Sequence, residues 1–171
     1  TDKPAYSPWF VDDDPSNGKG YESAVAYAVA AQLGYAAADV TWTVASFNSV
    51  IAPGAKTFDV DINQVSITDE RKANVDFSSG YYDVKQAVVT VKGSKAASAK
   101  SVADLAKLKI GGQVGTTSFK AIDAIIKPTA KAAVFNTNDD AKLALANGTI
   151  DAIVVDLPTA LFLSAVGTKD G

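Results

Sequence analysis

The sequence predicts an α/β protein of two lobes, and two observations carry this prediction. Short β-branched or aromatic segments alternate with apolar segments at helical spacing along most of the 171 residues. Strands alternating with helices of this length are typical of parallel βαβ units. A small, polar stretch, GSKAASAKS at residues 93–101, interrupts the pattern before it starts again. We therefore expect one lobe over about residues 1–90 and a second over 91–171.

The first lobe is predicted from local patterns and caps. Its expected elements are a helix at 20–34, a strand at 40–44, a short helix at 46–55, a strand at 58–67, a helical turn at 69–72 and a strand at 86–92. Gly34 is a favourable end for the first helix, and Ser46 is the predicted N-cap of the second. Tyr21, Ala24 and Ala28 recur at helical spacing, which predicts an apolar face on the first helix.

The second lobe repeats the alternation more regularly. Its expected elements are helices at 101–108, 116–127, 138–148 and 158–166, with strands at 109–114, 131–135 and 149–156 between them. Because each strand is followed by a helix, we expect the strands to be parallel and a ligand to bind at their carboxyl ends.

Composition excludes several functions. The net charge of −3 and the pI near 4.8 provide no basic surface for nucleic acid or an anionic membrane. Without cysteine, histidine or methionine, the usual zinc, iron–sulfur and nucleophilic-triad chemistries are not available. There is no P-loop, no apolar run of bilayer length and no signal peptide at the start. We expect no metal and no cofactor, and we expect the targeting segment to lie outside this chain.

Arg71 is the single arginine among 16 basic residues. A guanidinium is a planar fork of donors that matches a carboxylate with two hydrogen bonds. The alternative is a surface ion pair with the neighbouring Asp69 or Glu70.

A second feature suited to an anion is the turn at Gly115, Thr116 and Thr117, between a predicted strand and helix. The N–H groups of a helix start can bind a carboxylate. The alternative interpretation is a tight turn in which Thr116 is only the N-cap.

Acidic and aromatic residues leave similar alternatives open. Asp156 follows the apolar run AIVV, where it would meet a ligand's ammonium group, or it caps the next helix. Asp76 and Asp151 also lie near strand ends, but spacing selects no catalytic pair. The aromatic side chains wall a ligand pocket or pack in the core; they are Tyr6, Trp9, Phe10 and Phe47.

Several motifs occur in order through nearly the whole chain: TD with AYSPWF, GKGYE, FNSVIAP, SITDERKANVDFSSGYY, VGTTS and AKLALANGTIDAIVVD. They resemble the solute-binding proteins of polar amino acid ABC transporters, family 3 of the extracellular solute-binding proteins. The resemblance implies a two-lobed, type II periplasmic-binding-protein-like fold that closes on a free L-amino acid, with the first hinge strand belonging to lobe one. It also implies a non-enzymatic role, a membrane permease as partner, and a location in the periplasm or anchored by lipid at the cell surface.

The resemblance further implies roles for individual residues. Arg71 and the turn Gly115, Thr116 and Thr117 would hold the ligand's α-carboxylate. Its α-ammonium would meet Asp156 and the region of Asn63, Gln64 and Ser66. Tyr6 and Phe47 would enclose the ligand, and Asp2 and Gln113 would contact its distal group. A second carboxylate at the distal end of the ligand would meet acidic residues with no arginine to neutralise it. We therefore expect the ligand to be a polar neutral or cationic amino acid.

The sequence departs from the family pattern in two ways. It has GYESAVA where many members have GFDVDLA, and Asn63 and Gln64 where many have a glycine. Members also begin with an earlier strand and continue well beyond the final DG. We therefore expect the fold to be incomplete at the first strand and the C-terminal part, with the remainder in a longer parent or a second chain. Two alternative functions are a lyase or dehydratase on the same fold and the sensory domain of an amino acid receptor.

Overall fold

The computed structural model describes residues 1–167, and the chain separates into two units, Thr1–Tyr82 and Asp83–Gly171. The predicted fold class is confirmed, since helices surround a mixed sheet. The strand Gln86–Val89 pairs within the second unit. Placing the lobe boundary near residue 90 stays a prediction.

The first unit contains three α-helices: α1 (Tyr21–Gln32), α2 (Phe47–Ile51) and α3 (Asp69–Lys72). Two 3-10 turns accompany them, Pro15–Asn17 and Ala37–Asp39. All three predicted helices are present. The side chain of Thr68 caps α3 by accepting a hydrogen bond from Arg71 N at 3.2 Å.

The strands predicted at 40–44 and 58–67 are not formed in the described structure. Thr1 makes one backbone contact within the first of these segments and one directly after it. Its amino group donates to Thr43 O at 3.2 Å, and its carbonyl accepts from Ala45 N at 3.0 Å. The chain bends at residues 57–59, where the second predicted strand would begin. Alternating side chains predict which faces are buried, whereas a strand also needs a partner for its N–H and C=O groups.

The buried face of α1 differs from the predicted apolar face. Glu22 and Ser23 are both 0% exposed, whereas Tyr21 is 41% exposed and Ala24 and Ala28 are also exposed. Hydrogen bonds compensate for the burial of these two polar side chains. Ser23 Oγ donates to Pro15 O at 2.6 Å, and the Glu22 carboxylate accepts three hydrogen bonds.

The second unit is built on a four-stranded sheet. Its strands are β1 (Gln86–Val89), β2 (Ile110–Gln113), β3 (Ala133–Phe135) and β4 (Ala152–Asp156), in the order β1-β4-β2-β3. Strand β2 is parallel to both β3 and β4, which confirms the expected βαβ units. Strand β1 is antiparallel to β4, with Gln86 opposite Asp156.

In its described residues, 83–167, the second unit has four α-helices: α4 (Val102–Leu105), α5 (Thr117–Ala121), α6 (Asn138–Ala146) and α7 (Leu157–Gly167). A π-helical turn, Ile122–Ile126, extends α5. Ser101 and Asp104 form a capping box at α4, and Thr137 caps α6. The helix predicted at 101–108 is shorter than expected, because α4 ends at Leu105. The last helix begins at Leu157, one residue before Pro158.

Both faces of β4 are buried in the core of the second unit. Ala152 and Val154 pack in one apolar cluster with Ile110 and Ile122. Ile153 and Val155 belong to the opposite cluster, with α6 and α7 residues. Alternate side chains of a strand point to opposite faces, so the continuous apolar run AIVV is what a central, fully covered strand requires. Asp156 stands at the end of that strand.

Candidate functional site

Arg71 is a buried residue of the first unit, with 5% of its surface exposed. Its Nη1 donates to the carbonyl oxygen of Ser66 at 2.7 Å, and the guanidinium lies over the Phe47 ring at 5.3 Å from the centroid. Nearby Asp69 makes an exposed ion pair with Lys72 at 3.6 Å. The low exposure of Arg71 does not fit the alternative of a surface ion pair. Three predicted ligand residues, Ser66, Arg71 and Phe47, are thus brought together.

Asp2 lies at the start of α2. Its Oδ2 accepts from Phe47 N at 3.3 Å and its Oδ1 from Lys3 N at 2.8 Å. Ser46 occupies the predicted N-cap position but makes no capping hydrogen bond with its side chain. The Asp2 carboxylate therefore stabilises the amino end of α2, where negative charge is favourable. Its predicted contact with the distal end of a ligand stays a prediction.

Asn63 and Gln64 lie close to two acids, the buried Glu22 and the partly buried Asp61. Asn63 is 8% exposed and accepts from Thr1 Oγ1 at 3.1 Å. Asp61 is an ion-pair partner of the Thr1 amino group at 3.6 Å, and its Oδ2 has no hydrogen-bond partner in residues 1–167. Burial raises the pKa of Asp61, although the Thr1 amino group opposes this effect.

Glu22 is a buried acid that the sequence analysis did not select. Its Oε1 accepts from Gln64 N at 2.7 Å and from Tyr81 OH at 2.6 Å, and its Oε2 accepts from Gln64 Nε2. Burial raises the pKa of Glu22, while the hydrogen bonds from Tyr81 and Gln64 act in the opposite direction and Asp61 adds to the increase. The one signal in the sequence is an acid in the first helical turn, which is common on exposed helices.

The aromatic residues near the start of the chain have different environments. Trp9 is 2% exposed and meets Tyr82 edge-on at a centroid distance of 4.9 Å. Its Nε1 has no hydrogen-bond partner in the described part of the chain. Phe10 is 0% exposed, whereas Tyr6 and Phe47 are half-buried. Trp9 and Phe10 thus have core environments, and the ligand contacts of Tyr6, Trp9 and Phe47 stay predictions.

In the second unit, the turn after β2 begins α5. Gly115 has a positive φ of 74°, which glycine adopts without strain. Thr116 is the N-cap: its Oγ1 accepts from Phe119 N at 3.0 Å and donates to Gln113 O at 2.7 Å. The capping interpretation of Thr116 is therefore confirmed. It is compatible with an anion role, because Thr117 is the first residue of the helix.

Gln113 and Asp156 end neighbouring parallel strands of the same sheet. The carboxyl ends of parallel strands meet at one edge, so both residues lie at the edge where α/β sheets bind ligands. Gln113 is 8% exposed, and Asp156 Oδ1 accepts from Gln86 Nε2 at 2.6 Å. Asp151 lies at the opposite end of β4, where it accepts from Lys109 N at 2.8 Å. These two acids therefore do not form a pair.

Neither a metal-binding cluster nor a membrane-spanning helix is present in residues 1–167. No group of three or more acidic, histidine or cysteine side chains is arranged to hold a metal ion. No helix among them is long and apolar enough to cross a membrane.

Polar residues at the carboxyl edge of a parallel sheet are typical of the class of α/β ligand-binding proteins. Comparison with known proteins identifies the family. The model of the bacterial extracellular solute-binding proteins, family 3, matches residues 1–157. The chain belongs to this family.

Similar proteins carry names that refer to amino acids. A "Probable histidine-binding protein" of Campylobacter jejuni is 33% identical over 162 residues, which is 92% of this chain and 59% of that protein. This chain thus spans somewhat more than half of that relative's length. The crystal structure of an ancestral amino acid-binding protein, described as a precursor of cyclohexadienyl dehydratase, has a TM-score of 0.78 and 32% identity over 94% of this chain and 71% of that one. An ancestral arginine-binding protein bound to glutamine has a TM-score of 0.74 and 33% identity over 89% of this chain and 64% of that one.

Proposed function

We propose that this chain is the recognition part of an amino acid importer, which binds one free polar L-amino acid outside the cytoplasm for delivery to a membrane permease of the ABC type. Membership of the extracellular solute-binding proteins supports the location, and the names of the relatives support the ligand class. The role is binding without catalysis.

The observation that carries the proposal is the buried guanidinium of Arg71. One of its donors is directed to Ser66 O, and the Phe47 ring covers one face. A guanidinium is a planar fork of donors that fits a carboxylate with two parallel hydrogen bonds. In the proposed complex Arg71 holds the α-carboxylate together with the Gly115, Thr116 and Thr117 turn. Asp156, with Asn63, Gln64 and Ser66, holds the α-ammonium; the participation of both units follows from the family resemblance.

The ligand is polar and either neutral or cationic. Asp2 is the predicted contact of the ligand's distal group, and Arg71 is the only arginine of the chain. A second carboxylate on the ligand would meet acids without a guanidinium to neutralise it, which costs several kcal/mol when such charges are buried. Glutamine, asparagine, arginine and lysine satisfy this condition, whereas glutamate and aspartate do not.

The test is a calorimetric screen of the proteinogenic amino acids, followed by direct competition between glutamine and glutamate. These two side chains have nearly the same shape and differ by one charge. We expect glutamine to bind at least ten times more tightly. Binding of no amino acid would contradict the proposal, and preference for glutamate would contradict the ligand class while leaving amino acid binding intact.

A dehydratase is the second candidate, because one similar structure is described as a dehydratase precursor and Asp61 is a partly buried acid whose pKa is raised by burial. A general acid or base works best when its pKa lies close to the operating pH, and it needs access to a substrate. Incubation of the chain with a cyclohexadienyl carboxylate, followed by ultraviolet absorbance, separates the two functions. Turnover that is lost in Asp61→Asn would establish the enzyme, and an unchanged spectrum would support the binding protein.

A further inference from the structure

The backbone around Gln64 is held in an unusual conformation. Gln64 has a positive φ of 49°, a region that side chains other than glycine rarely adopt. Such a conformation persists only where the surrounding structure compensates for its cost. The sequence resemblance places a glycine here in many members of the family. A specific contact is therefore expected to hold Gln64 in place.

Glu22 supplies that contact. Its carboxylate is 0% exposed, and it accepts both the backbone N–H of Gln64 at 2.7 Å and the Gln64 side-chain amide. The hydroxyl of Tyr81 donates at 2.6 Å to Oε1 of the same carboxylate, the oxygen that also accepts from Gln64 N. Two bonds from one residue to a buried carboxylate determine both the backbone and the side-chain position of that residue.

The other end of the same short segment is held by Arg71, whose Nη1 donates to Ser66 O at 2.7 Å. Gln64–Ser66 is therefore attached at one end to a buried anion and at the other to a buried cation. Hydrogen bonds to charged groups are the stronger ones, so both attachments restrict the backbone. The segment between them is one that the proposed function assigns to the ligand's α-ammonium.

We propose that Glu22 is a positioning residue of the amino acid site, which holds Gln64–Ser66 in the conformation that receives the ligand's α-ammonium. This inference rests on the proposed function. Glu22 acts through Gln64 and does not touch the ligand, because its side chain has no exposed surface. Its effect is therefore specific to the part of the ligand that Gln64–Ser66 contacts.

The test compares two ligands that differ only at that group. Glutamine and glutaramate, which is glutamine without its α-ammonium, are titrated against the wild-type chain and its variants. We expect Glu22→Ala to lower the affinity for glutamine at least tenfold and that for glutaramate less than twofold. Glu22→Gln restores most of the loss, because an amide can accept from Gln64 N and Tyr81 and pair with the Gln64 side chain once that amide is reversed. Equal losses for both ligands in Glu22→Ala would overturn the inference.

Ser23→Ala is the matched control. Ser23 is equally buried on the same turn of α1, and its hydroxyl bonds to Pro15 O instead of the Gln64 segment. We expect it to change the two affinities by the same small factor. Should Glu22→Ala not fold, Glu22→Asp takes its place, because it keeps the charge but its shorter side chain cannot reach Gln64 N.

A measurement without ligand separates this inference from the proposed function. Amide hydrogen exchange at Gln64 reports directly on its hydrogen bond to Glu22. We expect exchange at Gln64 at least ten times faster in Glu22→Ala than in Ser23→Ala. Unchanged exchange would overturn the positioning role even where amino acids bind, whereas faster exchange in a chain that binds no amino acid would leave the contact established and reject the proposed function.

Discussion

The guanidinium of Arg71 lies over the ring of Phe47, 5.3 Å from its centroid. The two residues are 24 positions apart in the sequence and come from different helices, α3 and α2. A cation over an aromatic face is stabilised by roughly 0.5–2 kcal/mol, depending on desolvation. The contact therefore contributes to holding the Arg71 side chain in its buried position.

Arg71→Lys tests whether the guanidinium group itself matters. Lysine keeps the charge but cannot make two parallel hydrogen bonds or stack on Phe47, so we expect affinity for the amino acid to fall by about 2–5 kcal/mol. Isothermal titration calorimetry measures the change. Lys72→Ala, an exposed change on the same helix, should leave affinity within a factor of two. Near-normal binding by Arg71→Lys would remove Arg71 from the site.

Asp156→Asn examines the proposed ammonium contact. Asparagine still offers an oxygen to Gln86 Nε2, so the register of β1 and β4 is preserved while the charge is lost. We expect at least tenfold weaker amino acid binding, because the ligand's ammonium group would lose its negatively charged partner and keep only a hydrogen bond to a neutral oxygen. The same substitution at Asp151, at the other end of β4, serves as the control. If both variants bind like the wild type, Asp156 is structural.

The pH dependence of stability should reveal the buried charge of Glu22. Burial raises its pKa in the folded state above the ordinary value of 4.5. A raised pKa means that Glu22 contributes stability that is complete below pH 4.5 and is lost as pH rises through the folded pKa. Glu22→Gln carries no titrating group there, so its stability relative to the wild type should increase over that rise. Tyr81 and Asp61, which face Glu22, are unchanged in this comparison.

Urea unfolding followed by tryptophan fluorescence is suited to this measurement. Both tryptophans, Trp9 and Trp42, belong to the first unit, which also contains Glu22. A difference between wild type and Glu22→Gln that stays constant from pH 4 to pH 8 would contradict the raised pKa.

Gly20→Ala should destabilise the first unit. Gly20 has a φ of 96°, and a Cβ there would lie 2.4 Å from the carbonyl oxygen of Trp9. The clash is with backbone and cannot be relieved by a rotamer change, so we expect a loss of at least about 2 kcal/mol. Gly34→Ala is the control, since Gly34 has a φ of 90° with nothing within 4 Å of the added carbon. An equal loss in both variants would show that the φ angle alone matters.

Local sequence was sufficient for the elements that local forces determine. The capping side chain of Thr116 predicted the start of one helix, and Gly34 predicted the end of the first helix. The apolar run before Asp156 predicted a covered strand, because covering both faces of a sheet requires apolar residues in succession. The family motifs added the identity of the family, whereas Arg71 stood out already as the only arginine of the chain.

Only the tertiary structure decided which polar residues are buried. Glu22 resembles an ordinary acid of a first helical turn until Gln64 and Tyr81, 42 and 59 residues away, surround it. The same holds for strands: residues 40–44 have a strand-like composition, yet pairing depends on a partner that no local pattern specifies. Sequence determines propensity through short-range sterics and capping, whereas burial and charge depend on contacts between distant segments.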